Sequence, residues 1–125
     1  MQLTQETPDY RYLLRGADAA LARVNERELR SSFLLSPERL VEDWRPREIG
    51  DLQIADLAAL LELTPAVVLL GSGARLRFPA QEVLAKLLTR GIGVEVMDNA
   101  AAARTFNLLA GEGRRVVAAI LIAPA

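Results

Sequence analysis

The sequence contains no cysteine and no histidine, and Lys86 is the one lysine among its 15 basic residues. Without cysteine, the chain has no disulfide, no thiol nucleophile and no zinc-thiolate site. Without histidine, it lacks the imidazole of Ser-His-Asp and Cys-His sites and of many metal sites. These absences favour a protein that is not an enzyme, with no catalytic residues, no metal and no cofactor. They leave serine, threonine and carboxylate chemistry open.

The length and composition predict one globular domain. A chain of 125 residues is long enough to bury a hydrophobic core. Its 51% apolar and 25% charged residues are typical of a folded protein. We therefore expect a single domain over residues 1–125, with residues 1–9 as a flexible polar lead-in.

The net charge of −1 argues against non-specific nucleic-acid binding. The charge is unevenly distributed, because residues 1–74 hold eight arginines and twelve acids, whereas residues 75–125 hold seven basic residues and four acids. This polarity either orients a partner or belongs to an ordinary solvated surface. The start of the chain lacks a signal-peptide pattern, and the longest apolar run, 116–123, is far shorter than the ~20 residues of a membrane helix. We expect a cytoplasmic location and no membrane insertion.

Short strands are predicted for the first half of the chain. Strands are favoured over the alternative, a helix at 18–30, by four features. They are a weak alternation of apolar and polar residues near 20–25, a turn at 25–28, an apolar run at 29–35 and another at 40–44. Trp44 is interpreted as a side chain that covers one edge of the core, with a partner anchor as the alternative. Residues 51–63 predict a short helix that ends before Pro65.

The second half alternates strands and helices. The predicted order is β-α-β-α-β. It consists of a buried strand at 67–70, a helix that follows Pro79, a strand at 92–97, a helix at 99–110 and a strand at 116–122. Asp98 or Asn99 is expected to cap the second of these helices, and Gly91 to end the first. The fold class is therefore α/β, with a mixed, largely parallel sheet and a strand-rich first half.

The Gly71-Ser72-Gly73 turn follows a buried strand, where phosphate-binding turns occur. It is not a dinucleotide fingerprint, because the third glycine of that motif would fall at Leu76. Two glycines are also what a sharp turn after a strand needs. The alternative is a loop whose backbone approaches a ligand or a partner closely.

The helix at 99–110 is predicted to have two distinct faces. Four residues are expected to face the sheet: Ala102, Thr105, Phe106 and Leu109. The opposite face places Arg104 and Asn107 on a floor of alanine and glycine, which leaves room for something to approach. Arg104 either binds a carboxylate or phosphate of a ligand or partner, or forms an ion pair with Glu112 or Asp98. Arg114 either protects the last strand from aggregation or joins Arg104 in an anion-binding patch.

Several segments of the second half resemble a known family. They are the runs 91–98, 103–109 and 112–116, with the Gly71-Ser72-Gly73 turn and Phe78-Pro79 in matching order. The family comprises small uncharacterised domains and includes the mitochondrial respiratory complex I assembly factor 3 proteins and the adipogenesis-associated domain proteins. The similarity runs from residue 10 to residue 121. Ser72 stands where threonine is common, and Asn99 stands where threonine is usual.

The resemblance implies a compact mixed α/β fold with a hammerhead-like first half, and an assembly role carried out with partner proteins. We therefore expect a non-catalytic interaction module that docks a protein partner around Arg104 and Asn107. The alternative is a small-anion or metabolite binder, or an enzyme, that uses the 71–73 turn with Arg104 and Arg114; a homo-oligomer is left open. The candidate binding residues are Gly71, Ser72, Gly73, Asp98, Arg104, Thr105, Asn107, Glu112 and Arg114.

Overall fold

Short antiparallel strands occupy the first half of the chain, as its pattern predicts. A computed structural model describes residues 11–123, so the predicted lead-in at 1–9 lies outside the described residues. Among the described residues, five strands precede the first α-helix: β1 (Leu14–Ala17), β2 (Ala22–Val24), β3 (Arg27–Leu29), β4 (Phe33–Leu35) and β5 (Leu40–Val41). β1, β2 and β3 form a three-stranded antiparallel sheet. Asn25 makes the turn between β2 and β3 with a φ of 51°, which asparagine tolerates better than most residues.

The stretch 29–35, predicted as one strand, contains parts of two strands that belong to different sheets. β3 and β4 are separated by residues 30–32, with a bend at Ser31. The carbonyl oxygen of Ser32 accepts a hydrogen bond from the N–H of Trp44 at 2.9 Å. Its Oγ accepts one from the N–H of Ile122, also at 2.9 Å. Because Ser32 is bonded to two distant segments, the chain leaves the small sheet there and enters the large one.

The second half has the predicted β-α-β-α-β order. After α1 (Leu57–Leu61), its elements are β6 (Val67–Gly71), α2 (Gln81–Leu88), β7 (Gly93–Met97), α3 (Asn99–Gly111) and β8 (Val116–Ile120). The large sheet has the order β5-β4-β8-β6-β7. β6 runs parallel to β7 and β8, whereas β4 runs antiparallel to β5 and β8. The mixed α/β sheet is confirmed, but the prediction that it is largely parallel is wrong, because only two of its four strand pairings are parallel. The first half contributes β4 and β5, and β4 makes both antiparallel pairings.

The helical segment at 51–63 is more broken than predicted. Two 3-10 turns, Ile49–Asp51 and Ile54–Asp56, precede the five-residue α1. The Asp51 carboxylate accepts a hydrogen bond from the N–H of Glu48 at 3.2 Å, and Asp56 accepts one from the N–H of Gln53 at 2.8 Å. These local bonds satisfy the start of each tight turn, so a continuous α-helix does not form.

Both faces of the large sheet are buried, and α3 lies between the two sheets. Val67 and Leu69 of β6 belong to a core cluster shared with α3 and the small sheet. The alternate residues Val68 and Leu70 pack with α1, α2 and Trp44 on the other face. Trp44 is buried, and its Nε1–H donates to a backbone carbonyl, which agrees with its predicted place at the edge of the core. The contacts of α3 with β1, β6 and β8 fix where its polar side chains lie.

Candidate functional site

The carboxyl ends of β6 and β7 meet at the Gly71–Gly73 turn. These strands are parallel neighbours, and the helices that follow them pack on opposite faces of the sheet. In open α/β sheets, ligands bind in the crevice that forms where the helices after two neighbouring strands go to opposite faces. Here the chain's own polar groups cross the crevice. The N–H of Asn99 donates to the Gly73 carbonyl at 2.8 Å, and the N–H of Gly73 donates to Asn99 Oδ1 at 3.0 Å.

The Asn99 side chain joins three parts of the molecule. In addition to the bond from Gly73, its buried Nδ2 donates to the carbonyl oxygens of Asp18 at 2.8 Å and Leu121 at 2.9 Å. A Cβ atom at Gly71 would lie 2.5 Å from Asn99 Oδ1, far inside van der Waals contact. Gly71 is therefore required by the close approach of this amide to the strand.

Ser72 also uses its polar groups within the chain. Its buried Oγ–H lies 2.6 Å from the carbonyl oxygen of Arg75, to which it donates, and the same oxygen accepts from the N–H of Arg77 at 3.1 Å. Its backbone N–H donates to the Met97 carbonyl at 2.9 Å. Since the N–H groups of Ser72 and Gly73 are both bonded, these two residues do not offer the backbone donors of a phosphate-binding loop. Their contacts are those of a sharp structural turn.

The start of α3 agrees with the predicted cap and the predicted sheet-facing residues. Asp98 Oδ1 accepts a hydrogen bond from the N–H of Ala101 at 2.8 Å, which makes Asp98 the N-cap. Ala102 and Phe106 are fully buried, and Thr105 is half-buried. The carboxylate of Asp98 therefore stabilises the helix.

Asn107 differs from the prediction of an open face. Its Oδ1 accepts a hydrogen bond from the N–H of Leu14 at 2.9 Å, and its Nδ2 donates to the carbonyl of the same residue at 2.7 Å. Ala103, on the same side of α3, is buried in the core cluster that includes the small sheet. The small residues of this side leave room for a backbone to approach. The backbone that occupies this room is β1 of the same chain.

Arg104 lies on the exposed surface of α3. It forms no ion pair with any residue between 11 and 123, so the alternative pairing with Asp98 or Glu112 is not formed. One turn further along, Leu108 is 62% exposed, and Glu112 is exposed after another turn. Residues spaced by four share one side of a helix. Arg104, Leu108 and Glu112 thus form one surface, which we call the α3 strip.

A cavity of about 630 Å³ lies at the amino ends of β6 and β8, and we call it the amino-edge cavity. It includes the predicted residues Glu112 and Arg114. Its charged lining is balanced, with three arginines and three glutamates: Arg39, Arg114, Arg115, Glu38, Glu62 and Glu112. The Nε–H of Arg115 donates to the carbonyl oxygen of Thr64 at 3.2 Å, which connects the last strand to the end of α1.

A smaller cavity of about 220 Å³ lies beside the carboxyl ends of β6 and β8, and we call it the carboxyl-edge cavity. Ser72 and Gly73, from the predicted set, form part of its wall. Its charged lining residues are three arginines and one glutamate: Arg47, Arg75, Arg77 and Glu48.

The predicted site residues do not converge on one site. Ser72 and Gly73 line the carboxyl-edge cavity, whereas Glu112 and Arg114 line the cavity at the opposite edge of the sheet. Arg104 lines neither cavity. The turn at 71–73 is therefore not joined to Arg104 and Arg114 in a common pocket.

Four residues that the sequence interpretation did not select belong to these surfaces: Arg47, Arg75, Arg77 and Leu108. The sequence held a signal for most of them. Leu108 follows Arg104 by one helical turn, and the segment 75–78 alternates arginine with large apolar residues. The meeting of Arg47 with the 75–78 segment has no local signal, because it depends on tertiary packing.

Arg45 and Asp56 form an ion pair through two hydrogen bonds. Arg45 Nε lies 2.7 Å from Asp56 Oδ1, and Nη2 lies 2.7 Å from Oδ2. The hydrogen bond from Arg45 lowers the pKa of Asp56, against the opposing effect of burial, and the same bond raises the pKa of Arg45. Because Trp44 Nε1–H donates to the Asp56 carbonyl at 3.1 Å, this ion pair fastens the segment that holds the tryptophan.

No group of three or more acidic side chains between residues 11 and 123 is arranged to hold a metal ion. Within the same part of the chain, no helix has the length and apolar character needed to cross a membrane.

Two adjoining sheets with a helix between them, and surfaces rich in arginine, define a small mixed-sheet α/β domain. A family model described as "Protein of unknown function (DUF498/DUF598)" matches residues 14–121. The chain belongs to this family, which confirms the resemblance found in its sequence.

Comparison with curated proteins relates the chain to a named assembly factor. It is similar to NADH dehydrogenase (ubiquinone) 1 alpha subcomplex assembly factor 3 from Danio rerio, with 39% identity over 84 residues. The match covers 66% of this chain and 48% of the relative, so the aligned part spans about half the length of that protein.

Solved structures share the fold over nearly the whole chain. The NMR structure of a Xanthomonas campestris protein matches with a TM-score of 0.83 and 56% identity, covering 98% of this chain and 92% of that one. A Mth938-like domain from Bordetella pertussis matches with a TM-score of 0.81 and 27% identity, covering 97% and 92% of the two chains. The fold described above is thus that of known small domains.

Proposed function

We propose that the chain is a protein-binding module with an assembly-factor-like role, and that it docks its partner through the α3 strip. The observation that carries the proposal is the pair formed by Leu108 and Arg104, an exposed large apolar side chain beside an arginine with no ion partner in residues 11–123. The name of the Danio rerio relative supports the assembly role. The Asn107 contacts with β1 restrict the docking surface to the outer side of α3.

The chemistry of the strip defines the partner it fits. The guanidinium of Arg104 has a planar set of donors that binds a carboxylate through two parallel hydrogen bonds. Leu108 would be covered by an apolar side chain of the partner, which removes its exposed surface from water. The expected partner therefore presents an acidic residue next to an apolar one. Arginine is enriched at such interfaces.

The amino-edge cavity extends this surface. Glu112 belongs to both the α3 strip and the lining of the cavity, so the two are continuous. A volume of about 630 Å³ falls in the usual range for ligand pockets, and its balanced charges suit a mixed polypeptide better than a strongly charged small molecule. We place one segment of the partner in this cavity. A cytoplasmic location stays a prediction from the sequence.

The test is affinity capture with reversible crosslinking in the native host. Leu108→Asp and Arg104→Glu are compared with the wild type and with Leu88→Asp, a matched control because Leu88 is 57% exposed on α2. We expect the two strip variants to recover at least about tenfold less of a specific partner, since each places a carboxylate where the partner needs an apolar or anionic group. The control should recover as much as the wild type.

Unfolding midpoints confirm that each variant is folded before recovery is compared. Equal recovery by folded Leu108→Asp contradicts docking through the strip. Recovery of no protein above the level of an empty bait contradicts the protein-binding role itself.

A further inference from the structure

Three arginines line the carboxyl-edge cavity. Arg47, Arg75 and Arg77 line it, and none of them forms an ion pair with any residue from 11 to 123. Arg47 comes from the turn before Ile49, so two separate segments supply the guanidinium groups. The backbone of Arg47 is fixed by its N–H, which donates to the Asp51 carboxylate at 3.3 Å.

The segment 75–78 divides its side chains between two environments. Arg75 and Arg77 line the cavity, whereas the alternating residues Leu76 and Phe78 do not line it and are exposed. The Ser72 hydroxyl holds the segment by its bonds to the carbonyl of Arg75 and the N–H of Arg77. The two arginines are therefore held on the cavity side.

The charge of the cavity selects its ligand. Three arginines against the single carboxylate of Glu48 leave a net charge of +2, whereas the three arginines of the amino-edge cavity are matched by three glutamates. An excess of two positive charges matches a phosphate monoester, which carries ≈ −1.5 to −2 at pH 7. Guanidinium groups are the preferred protein partners of phosphate oxygens.

The cavity also offers backbone donors and a restricted size. The N–H groups of Ala74 and Arg75, two lining residues, form no hydrogen bond with any residue from 11 to 123. Successive backbone N–H groups in a turn are a common component of anion sites. A volume of about 220 Å³ is below the ≈ 300–1,000 Å³ of pockets that enclose a whole drug-sized ligand. It suits a phosphate group with the rest of the ligand outside.

We propose that the carboxyl-edge cavity binds the phosphate group of a phosphomonoester through Arg47, Arg75 and Arg77. This site is separate from the α3 strip, and it stands whether or not the strip docks a protein. Glu48 sets an upper limit on its affinity, because its carboxylate repels the same ligand.

The experiment is an NMR titration of the full chain with inorganic phosphate, at constant ionic strength set with sodium chloride. We expect saturable shifts of the Gly73, Ala74 and Arg75 amides. The double variant Arg75→Gln/Arg77→Gln should weaken binding by at least about tenfold, since two charge-assisted contacts are lost. Glu48→Gln should strengthen it by roughly two- to fivefold, the range of one exposed charge interaction. Arg90→Gln, an exposed arginine outside both cavities, should leave it unchanged.

A second arm separates free phosphate from a lipid headgroup. Vesicles of phosphatidylcholine with and without phosphatidic acid are sedimented with the wild type and the double variant. Binding of either phosphate source that the double variant loses supports the site and identifies the source. Equal shifts with chloride and phosphate, equal binding by the double variant, or no response to either phosphate source would overturn the proposal.

Discussion

All the ion pairs that the structure forms among residues 11–123 lie in the first half of the chain, and none lies in the second. Between residues 15 and 56, the structure forms five ion pairs: Arg15–Glu26, Arg23–Glu28, Arg27–Glu42, Arg30–Glu28 and Arg45–Asp56. No arginine between 67 and 123 pairs with an acid in the described part of the chain. There, neutral side chains make the long-range polar contacts, chiefly Ser72, Asn99 and Asn107.

We infer that neutral side chains hold the fold together, whereas the arginines of the second half are available for binding. Exposed ion pairs contribute little to stability, whereas breaking a buried hydrogen bond leaves a polar group without a partner. The two halves are joined by neutral amides, Asn99 to Asp18 and Asn107 to Leu14. The second-half arginines form no ion pair with residues 11–123 and take no part in these two amide contacts, so we expect their charges to be available to ligands and partners.

The largest effect is expected for Asn99→Ala. The substitution leaves the N–H of Gly73 and the carbonyl oxygens of Asp18 and Leu121 without their partner, which should lower the free energy of unfolding by about 3–5 kcal/mol. Urea unfolding measures the change, with Arg90→Ala as a control that should stay within ~0.5 kcal/mol of the wild type. A loss below about 1 kcal/mol for Asn99→Ala would show that the amide does not join the halves.

A smaller loss, about 1–3 kcal/mol, is expected for Asn107→Ala, because it removes two partly buried hydrogen bonds to Leu14. Hydrogen exchange of the Leu14 amide should become faster, since β1 is no longer held to α3. Recovery of the partner should match that of the wild type. If the partner is lost while stability and exchange are unchanged, Asn107 recognises the partner, as the sequence alone predicted.

The Arg45–Asp56 pair should make the first half sensitive to acid. The pKa of Asp56 is lower in the folded chain than its ordinary value of about 3.9, so its stabilisation is present above that value. The stabilisation is lost as the pH falls through the lowered pKa. We expect Asp56→Asn to reduce stability at pH 7 and to flatten its decline below about pH 4, as measured by unfolding at a series of pH values. An unchanged acid profile would contradict a stabilising role for the pair.

The smallest effects distinguish the arginines of the two halves. Arg23→Gln breaks an exposed ion pair of 2.8 Å and should cost about 0.2–1 kcal/mol in low salt, and less as salt screens the pair. Arg104→Gln breaks no ion pair with the described residues and should change stability by less than ~0.5 kcal/mol at any salt concentration. If both variants lose the same amount of stability and the loss depends on salt, the arginines of the two halves do not differ in their ion pairing.

Local patterns predict much of the second half of the fold. Two strands are identified correctly by the apolar runs at 67–70 and 116–122. The buried side of α3 is identified correctly by the spacing of Ala102 and Phe106. Both patterns are informative because the period of each element sets which residues face the core. The Asp98 cap is also a local feature. Division of the first half between two sheets was not predictable in this way. It depends on Ser32 meeting Trp44 and Ile122, the second of which lies 90 residues away.

The candidate site shows the same limit. Helical periodicity places Arg104 and Asn107 on one side of α3, but it does not show what covers that side. β1 covers Asn107 and leaves Arg104 exposed. Similarly, the Gly71–Gly73 turn is evident from the sequence, whereas the amide of Asn99 that fills it is fixed by tertiary structure.

The central position of β8 has a consequence for synthesis on the ribosome. β8 pairs with β4 on one side and β6 on the other, although it follows all the other described strands in the chain. At 5–20 residues per second, β4 waits on the order of ten seconds for this partner. During that interval, the apolar edges of β4 and β6 that will receive β8 are open to other chains. We therefore expect the nascent chain to be most exposed to aggregation until β8 emerges.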